Sequence, residues 1–308
     1  MIERKQVEVG SRFDFEERRQ ALWASEAPRM VGIYPSPVAL WAEKTGQRQP
    51  DDLSGIEAVQ MGHVMQETIR RMFSDQTGIE SAPTDHDIRI AKGYEWLRAH
   101  TDAVTPDGTI VEIKNFSAFR RKEFGDWGSD DVPMSVYVQC VHEAICWDTD
   151  TVYMPVLFGG QEFQVYELHP TQTEKRSYIQ RAEKFWERVV KKDPPPPQTA
   201  EDVLALFPRE TEGAIKTASP DDIANVDALV KIKGQIKELE AKADHLSDLV
   251  KIAIGEAGSL MSGTKILATW RASADSKFFD AKAFQQDHAD LYKKYTGVRA
   301  GSRRFLIK

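Results

Sequence analysis

The stretch His100-Thr101-Asp102-Ala103-Val104-Thr105-Pro106-Asp107-Gly108-Thr109-Ile110-Val111-Glu112-Ile113-Lys114 decides how the chain is read. It predicts two short strands joined by a Pro-Asp-Gly turn, with a carboxylate on each strand and a lysine two residues beyond the second. A three-residue loop centred on Asp107 sets Asp102 opposite Glu112, and opposed residues of an antiparallel pair have Cβ atoms roughly 5 Å apart. Glu112 and Lys114 project from one face, while Val111 and Ile113 point to the other, toward the core. Asp107 has an explanation of its own: Pro presets φ, Asp tolerates a left-handed backbone and Gly supplies positive φ. Nothing local accounts for Asp102, so Asp102 is the candidate carboxylate.

Two carboxylates at that distance can share one hard cation. Mg²⁺ prefers oxygen ligands and takes one or two carboxylates, leaving the rest of its shell to water and phosphate. Such an ion polarises a phosphodiester and lowers the pKa of an attacking water. Asp102 and Glu112 fit the ligand role, with the backbone carbonyl of Ile113 as a further oxygen, and Lys114 would orient or help deprotonate the water and offset charge on the phosphorane. Asp followed by Glu-Ile-Lys is the pattern of the PD-(D/E)XK metal-dependent nucleases. The spacing also fits an ordinary polar hairpin with one cross-strand charge pair.

Segments on either side carry a resemblance. Pro28-Arg29-Met30-Val31-Gly32-Ile33-Tyr34-Pro35-Ser36 is followed by Ala39-Leu40-Trp41-Ala42-Glu43-Lys44-Thr45-Gly46; then come Met61-Gly62-His63-Val64-Met65-Gln66 through Gly78, the hairpin itself, and Tyr137-Val138-Gln139. In order and spacing these resemble the YqaJ-type viral recombinase family, the group that contains phage lambda exonuclease, over roughly residues 25 to 150. The resemblance implies that Arg29 and Ser36 bind phosphate, in particular the terminal 5′-phosphate of the strand being degraded; a planar guanidinium suits phosphate because it bonds it bidentately. Ser36, just before an apolar helical run, also reads as a helix N-cap. Gln139 is implied as an active-site residue holding the attacking water or a phosphate oxygen. Gln66 stands where the family pattern has a metal-directed Glu, a departure that leaves a substrate-facing amide and puts a second tightly held metal in question. Glu67 lies about 100° around the helix and cannot replace it.

Local signals place these residues on elements. Ser54 with Glu57 reads as a capping box and Gly78 as the C-terminal stop of a helix whose apolar face includes Ile56, Val59, Ile69 and Phe73. A second helix begins near Pro133 and carries Gln139, His142 and Glu143 on one side; His142 reads as structural or solvent-facing. Val152–Phe158 and Glu162–Leu168 read as strands. Arg120-Arg121-Lys122 is a basic cluster that can guide a DNA backbone or simply be solvated, and Phe119, Phe124 and Trp127 are stacking candidates or packing groups.

The 308 residues, 41% of them hydrophobic, suffice for one sizeable domain and a smaller module. No signal segment or apolar span appears, which predicts a soluble, cytoplasmic protein of a bacterial or phage-infected cell with no membrane contact. Cys140 and Cys146, the two cysteines, are six apart on one helix, so neither a disulfide framework nor a zinc site is expected. A net charge of −7 argues against coating DNA by charge alone.

Four consecutive prolines, Pro194 to Pro197, open an extended spacer. The domains expected are therefore 1–192 (nuclease), 193–222 (linker, with a short helical Ala200–Phe207) and 223–308. In the last, Leu229, Ile232, Ile236, Leu239, Ala243, Leu246 and Val250 recur at three- and four-residue steps along a helix over 223–260, which reads as half a hairpin, a coiled-coil seam or a partner-binding arm. A strand at Ile266–Arg271, a helix at Ala281–Tyr295 and a closing strand at Arg304–Ile307 would complete a small α/β cap, with Arg299, Arg303, Arg304 and Lys308 making its end basic.

The expected fold is α/β, a central mixed sheet flanked by helices with the Asp102–Glu112 hairpin central. The resemblance implies a Mg²⁺- or Mn²⁺-dependent exonuclease acting 5′ to 3′ on double-stranded DNA ends, leaving single strands for an annealing recombination protein, and a homo-oligomer, by family precedent a trimer. A structure-selective or sequence-selective endonuclease on the same fold, and a non-catalytic DNA-binding or scaffold member, are the alternatives.

Overall fold

The computed structural model describes residues 15–33, 36–84, 87–298, 301 and 303–307. Arg299 and Lys308 of the basic C-terminal group lie outside the described residues. The chain divides into two units, Met1–Phe207 and Pro208–Lys308. The first unit runs α1 (Phe15–Arg19), β1 (Leu22–Trp23), α2 (Ala27–Met30), α3 (Pro37–Lys44), α4 (Glu57–Thr77), β2 (Ala82–Pro83), β3 (Arg89–Ala91), β4 (Tyr94–Ala99), β5 (Ala103–Val104), β6 (Ile110–Val111), β7 (Lys114–Phe116), α5 (Met134–Cys146), β8 (Val152–Phe158), β9 (Glu162–Leu168), α6 (Gln172–Lys191) and α7 (Ala200–Leu206). The proline stretch leads directly into α7, which packs on α3; this part of the expected linker is folded onto the first unit.

The main sheet has the order β2-β5-β6-β8-β7, with β9 on the other edge of β8. β6 and β7 are two halves of one line along β8: Ile110 pairs with Val152 and Lys114 with Val156, both parallel. Between the halves the Glu112 amide still donates to the Tyr153 carbonyl at 2.8 Å. β5 pairs antiparallel with β6, Ala103 with Val111 and Val104 with Ile110, so the next rung outward is Asp102 with Glu112. The hairpin register read from the turn is the register of the fold, and the sheet is the mixed, helix-flanked one expected. β8 and β9 occupy the ranges expected from sequence, and their turn uses Gly159 and Gly160 at φ 59° and 71°. A Cβ on Gly159 would meet that of Ala118 at 2.8 Å, so the turn requires glycine there.

Both faces of the sheet are buried. Ile69 and Phe73 of α4 pack on Val111, Ile113 and Leu157, and Val136, Cys140 and Ala144 of α5 pack on Ile110, Met154 and Val156. Odd and even residues of the hairpin's second strand therefore face different helices, which puts Glu112 and Lys114 on the α5 side. A second sheet, β1-β4-β3, is covered by α2, α3 and α6 together with the far side of α5.

Several local expectations give way. α4 begins at Glu57 with Ile56 as N-cap and no side-chain cap; Ser54 is tied into the preceding turn, where its amide donates to Asp52 and its carbonyl accepts from Gln60. Ile56 and Val59 are exposed, so only the C-terminal half of α4 packs. Gly78 does end the helix, at φ 73°.

His142 is not solvent-facing. It is fully buried, with Nδ1 2.7 Å from the Tyr178 hydroxyl and Nε2 2.9 Å from the Arg98 carbonyl. The carbonyl can only accept, so Nε2 carries the proton and Nδ1 accepts from Tyr178. Burial, with Lys44 nearby, outweighs the Arg98 bond and brings the imidazole pKa down to about 3. Below pH 6.5 the unfolded chain therefore takes up a proton that the folded chain refuses. Stability is expected to fall progressively from pH 6.5 toward 3 by an amount of the order of 5 kcal/mol from this group. Urea midpoints against pH should fall less steeply for His142→Gln than for the native chain.

The second unit consists of α8 (Pro220–Ile254), the antiparallel hairpin of β10 (Ser259–Ser262) and β11 (Lys265–Thr269), α9 (Ala281–Asp287) and α10 (Ala289–Tyr295). α8 is capped by a Ser219–Asp222 box and stops at Gly255, short of the expected end, because Ser259 and Leu260 are needed in β10. The expected helix over 281–295 is interrupted at His288. The expected closing strand at Arg304–Ile307 does not form: these residues join no ladder, and Phe305 is 76% exposed. Gly234 sits within α8, and a Cβ added there would meet only open space. Gly234→Ala should therefore stabilise the helix by about 0.8–1 kcal/mol, read as a later loss of helical circular dichroism on heating.

Candidate active site

Asp102 enters the site from the loop after β4, Glu112 and Lys114 from the interrupted β6–β7 line, Gln66 from α4 and Gln139 from α5. One Asp102 oxygen accepts from the Ile113 amide at 2.8 Å and the other from the Gln66 side-chain nitrogen. Glu112 Oε1 accepts from Lys114 Nζ at 2.6 Å and from Gln139 Nε2 at 2.6 Å. Lys114 also donates to Gln139 Oε1 at 3.1 Å, which fixes the Gln139 amide in one orientation. The Gln66–Asp102 arm and the Glu112–Lys114–Gln139 arm meet at the backbone of residues 112–114. The structure thus brings together Asp102, Glu112, Ile113, Lys114, Gln139 and Gln66. Asp107 stays in the turn, bonded to Thr105 and the Thr109 amide.

Sequence reasoning placed Glu143 on the same side as Gln139 but gave it no part. It is fully buried, and its Oε1 accepts from Gln139 Nε2 at 2.9 Å. Its other oxygen is buried without a partner among the described residues. Burial, and then the Glu112 charge, push this carboxyl well above the usual range. Burial works to lower the Lys114 ammonium, but Glu112, Glu143 and Asp102 together outweigh it and hold it above its ordinary value. The i, i+4 spacing of Gln139 and Glu143 was the available signal; that Glu143 is buried was not visible in it.

A hard divalent cation is what the nuclease pattern implies, and the donors suit it. Asp102, Glu112, the Ile113 carbonyl and the unpartnered Glu143 oxygen are all hard oxygens, and Lys114 is the cation set among three acids. Two carboxylates are enough for Mg²⁺. Among the described residues no three His, Cys, Asp or Glu side chains gather into a ready metal cluster. Gln66 turns its nitrogen to Asp102 and acts as a donor, which explains how an amide can stand at that position. Cys140 and Cys146 are free thiols, both buried.

The expected phosphate ligands have protein partners. Arg29 forms a two-pronged ion pair with Glu43 at 2.8 and 2.7 Å, with its Nε buried and unpartnered among the described residues. The Ser36 hydroxyl donates to Asp202 of α7, which also accepts from the amides of Gln198 and Thr199. Ser36 is the N-cap residue of α3 by position, but its side chain makes no capping bond. In the basic cluster, Arg121 pairs with Glu162 at 2.5 Å and Arg120 with Glu123 at 3.0 Å, so two of its three cations already have acidic partners. Phe124 is core, while Phe119 is 87% and Trp127 47% exposed.

A family model for the YqaJ-like viral recombinase domain matches residues 15–151. No curated protein matches the chain. Among solved structures, it is similar to an alkaline exonuclease, LHK-Exo, from Laribacter hongkongensis, at 13% identity over 58% of this chain and 92% of that one, with a TM-score of 0.48. It is also similar to a phage related exonuclease from Haemophilus somnus 129PT, at 11% identity over 56% of this chain and 96% of that one, with a TM-score of 0.43. No described helix is long and apolar enough to cross a membrane.

Proposed function

We infer, from the match of residues 15–151 to the YqaJ-like viral recombinase domain, that the chain is a divalent-metal-dependent deoxyribonuclease that digests linear duplex DNA from its ends, 5′ to 3′, to expose single strands for an annealing recombination protein. The observation that carries this reading is the convergence of two hydrogen-bonded arms on the backbone of residues 112–114, Asp102 on the Ile113 amide and the Glu112–Lys114–Gln139 network beside it. An ordinary polar hairpin has no need of a glutamine and a buried glutamate from a separate helix.

Asp102, Glu112 and the Ile113 carbonyl would hold Mg²⁺ or Mn²⁺, which when bound neutralises charge on the scissile phosphate and supplies a water of lowered pKa. Lys114 presents an ammonium where negative charge grows during displacement. Gln139, whose two amide protons go to Glu112 and Glu143, keeps a lone pair on Oε1 beside Lys114 that can accept from the attacking water, and reaching a phosphate oxygen would require it to give up one of those two carboxylates. Gln66 keeps Asp102 oriented. Arg29 and Ser36 bind the end phosphate in this reading, and doing so requires each to share or release the carboxylate it now holds.

The test is digestion of linear duplex DNA bearing a 5′-phosphate or a 5′-hydroxyl, with Mg²⁺ or with EDTA, beside a matched closed circle. Metal-dependent loss of the 5′-phosphorylated strand with the circle intact is expected. Cutting of the circle would turn the reading to an endonuclease, and no cutting with Mg²⁺ or Mn²⁺ to a non-catalytic DNA-binding member.

A further inference from the structure

We propose that α8 is one strand of a two-stranded coiled coil and that the other strand is α8 of a second copy of this chain. Leu229, Ile236, Ala243 and Val250 fall at one heptad position and Ile232, Leu239 and Leu246 at the next, three residues on, in unbroken 3-4 alternation. A helix that lies on a globular body needs a wide apolar stripe, whereas a seam of only these two positions at a 3.5-residue period is matched by another helix wound around it. The flanks of this seam are mainly polar: Lys233, Glu240 and Ser247 on one side, Gln235 and Lys242 on the other before Leu249.

The seam is open to solvent within its own unit, with Ile236, Leu239 and Leu246 at 47%, 63% and 61% exposed. Its extent from Leu229 to Val250 is roughly 30 Å at the helical rise. The other described helices of that unit, α9 and α10, have 7 residues each, about 10 Å, too short to cover it. A second copy meets the requirement on charge as well as length: Lys233, Glu240 and Lys242 alternate in sign along the flanks, so two identical helices can be set together without opposing blocks of like charge. Gly234 falls on the side opposite the seam, where it does not interrupt the contact.

The inference does not depend on the nuclease reading, and its test reads no activity. Light scattering of the full chain should give an even multiple of the 34.9 kDa monomer mass, six chains where the nuclease units themselves form the trimer that the family resemblance implies. Ile236→Asp with Leu239→Asp should halve that mass, and Ala241→Glu, on the opposite face, should leave it unchanged. Because the seam variant can lose helix along with partner, Ala243→Leu supplies a gain: a larger apolar group in the seam should move the association midpoint to a concentration at least about tenfold lower. A monomer, an odd-numbered assembly, or a midpoint indifferent to Ala243→Leu would overturn the proposal.

Discussion

Glu112→Gln is expected to lower cleavage of linear duplex DNA by about 10²–10³-fold, the loss typical of removing one preorganised electrostatic group from a reacting centre. The amide is the informative substitution because of what Glu112 already does in the fold. Its Oε1 accepts from both Lys114 and Gln139, and a glutamine oxygen can still accept from both. The structural cost should stay near the difference between a charged and a neutral hydrogen bond, about 1–2 kcal/mol. Glu112→Ala is a poorer probe: it removes the acceptor together with the charge, leaving both Lys114, whose side chain is only 19% exposed, and Gln139 without that partner, and breaking a buried pair from one side in this way costs about 3–5 kcal/mol. Rates across a Mg²⁺ titration, with thermal melts of the same samples, separate the two effects. A Glu112→Gln variant that cuts at the native rate would remove Glu112 from the chemistry.

The turn at Pro106–Gly108 made the main sheet legible, because its geometry fixes a register and a one-residue slip would reverse every side chain. The Asp102–Glu112 rung, the Glu112–Lys114 face and both long strands followed from such local rules. The Gly159–Gly160 turn and the apolar run of β8 were equally local signals. Partners distant in sequence left no such mark. Nothing near Ser36 announces Asp202, which lies 166 residues away, and nothing near His142 announces Tyr178. Both are chosen by how α7 and α6 dock, which periodicity does not report. Ser54 and Glu57 had the correct cap spacing, yet the turn formed by Leu53 and Ile56 took the chain first. At the C-terminus, Arg304–Ile307 had strand-like residues but pairs with neither edge of the two-stranded β10–β11 sheet, and a strand is defined by its neighbour. The catalytic reading was visible as a pattern; Glu143 was invisible because one glutamate on an amphipathic helix looks the same whether it meets solvent or core.

Arg29→Ala is expected to destabilise the protein by about 3–5 kcal/mol, whatever it does to DNA. The side chain of Glu43 is 7% exposed and its two oxygens are both satisfied by Arg29; taking the guanidinium away leaves a buried carboxylate without its counter-charge. A lost preference for 5′-phosphorylated ends in that variant would therefore have two explanations, a missing phosphate ligand or a loosened α2–α3 pair. Adding Glu43→Gln separates them. The neutral amide relieves the buried charge, so the double variant should recover most of the urea midpoint lost by the single one. If Arg29 grips the end phosphate, the double variant will still digest 5′-hydroxyl and 5′-phosphate ends alike. If Arg29 serves only to neutralise Glu43, the preference for phosphate will return together with the stability.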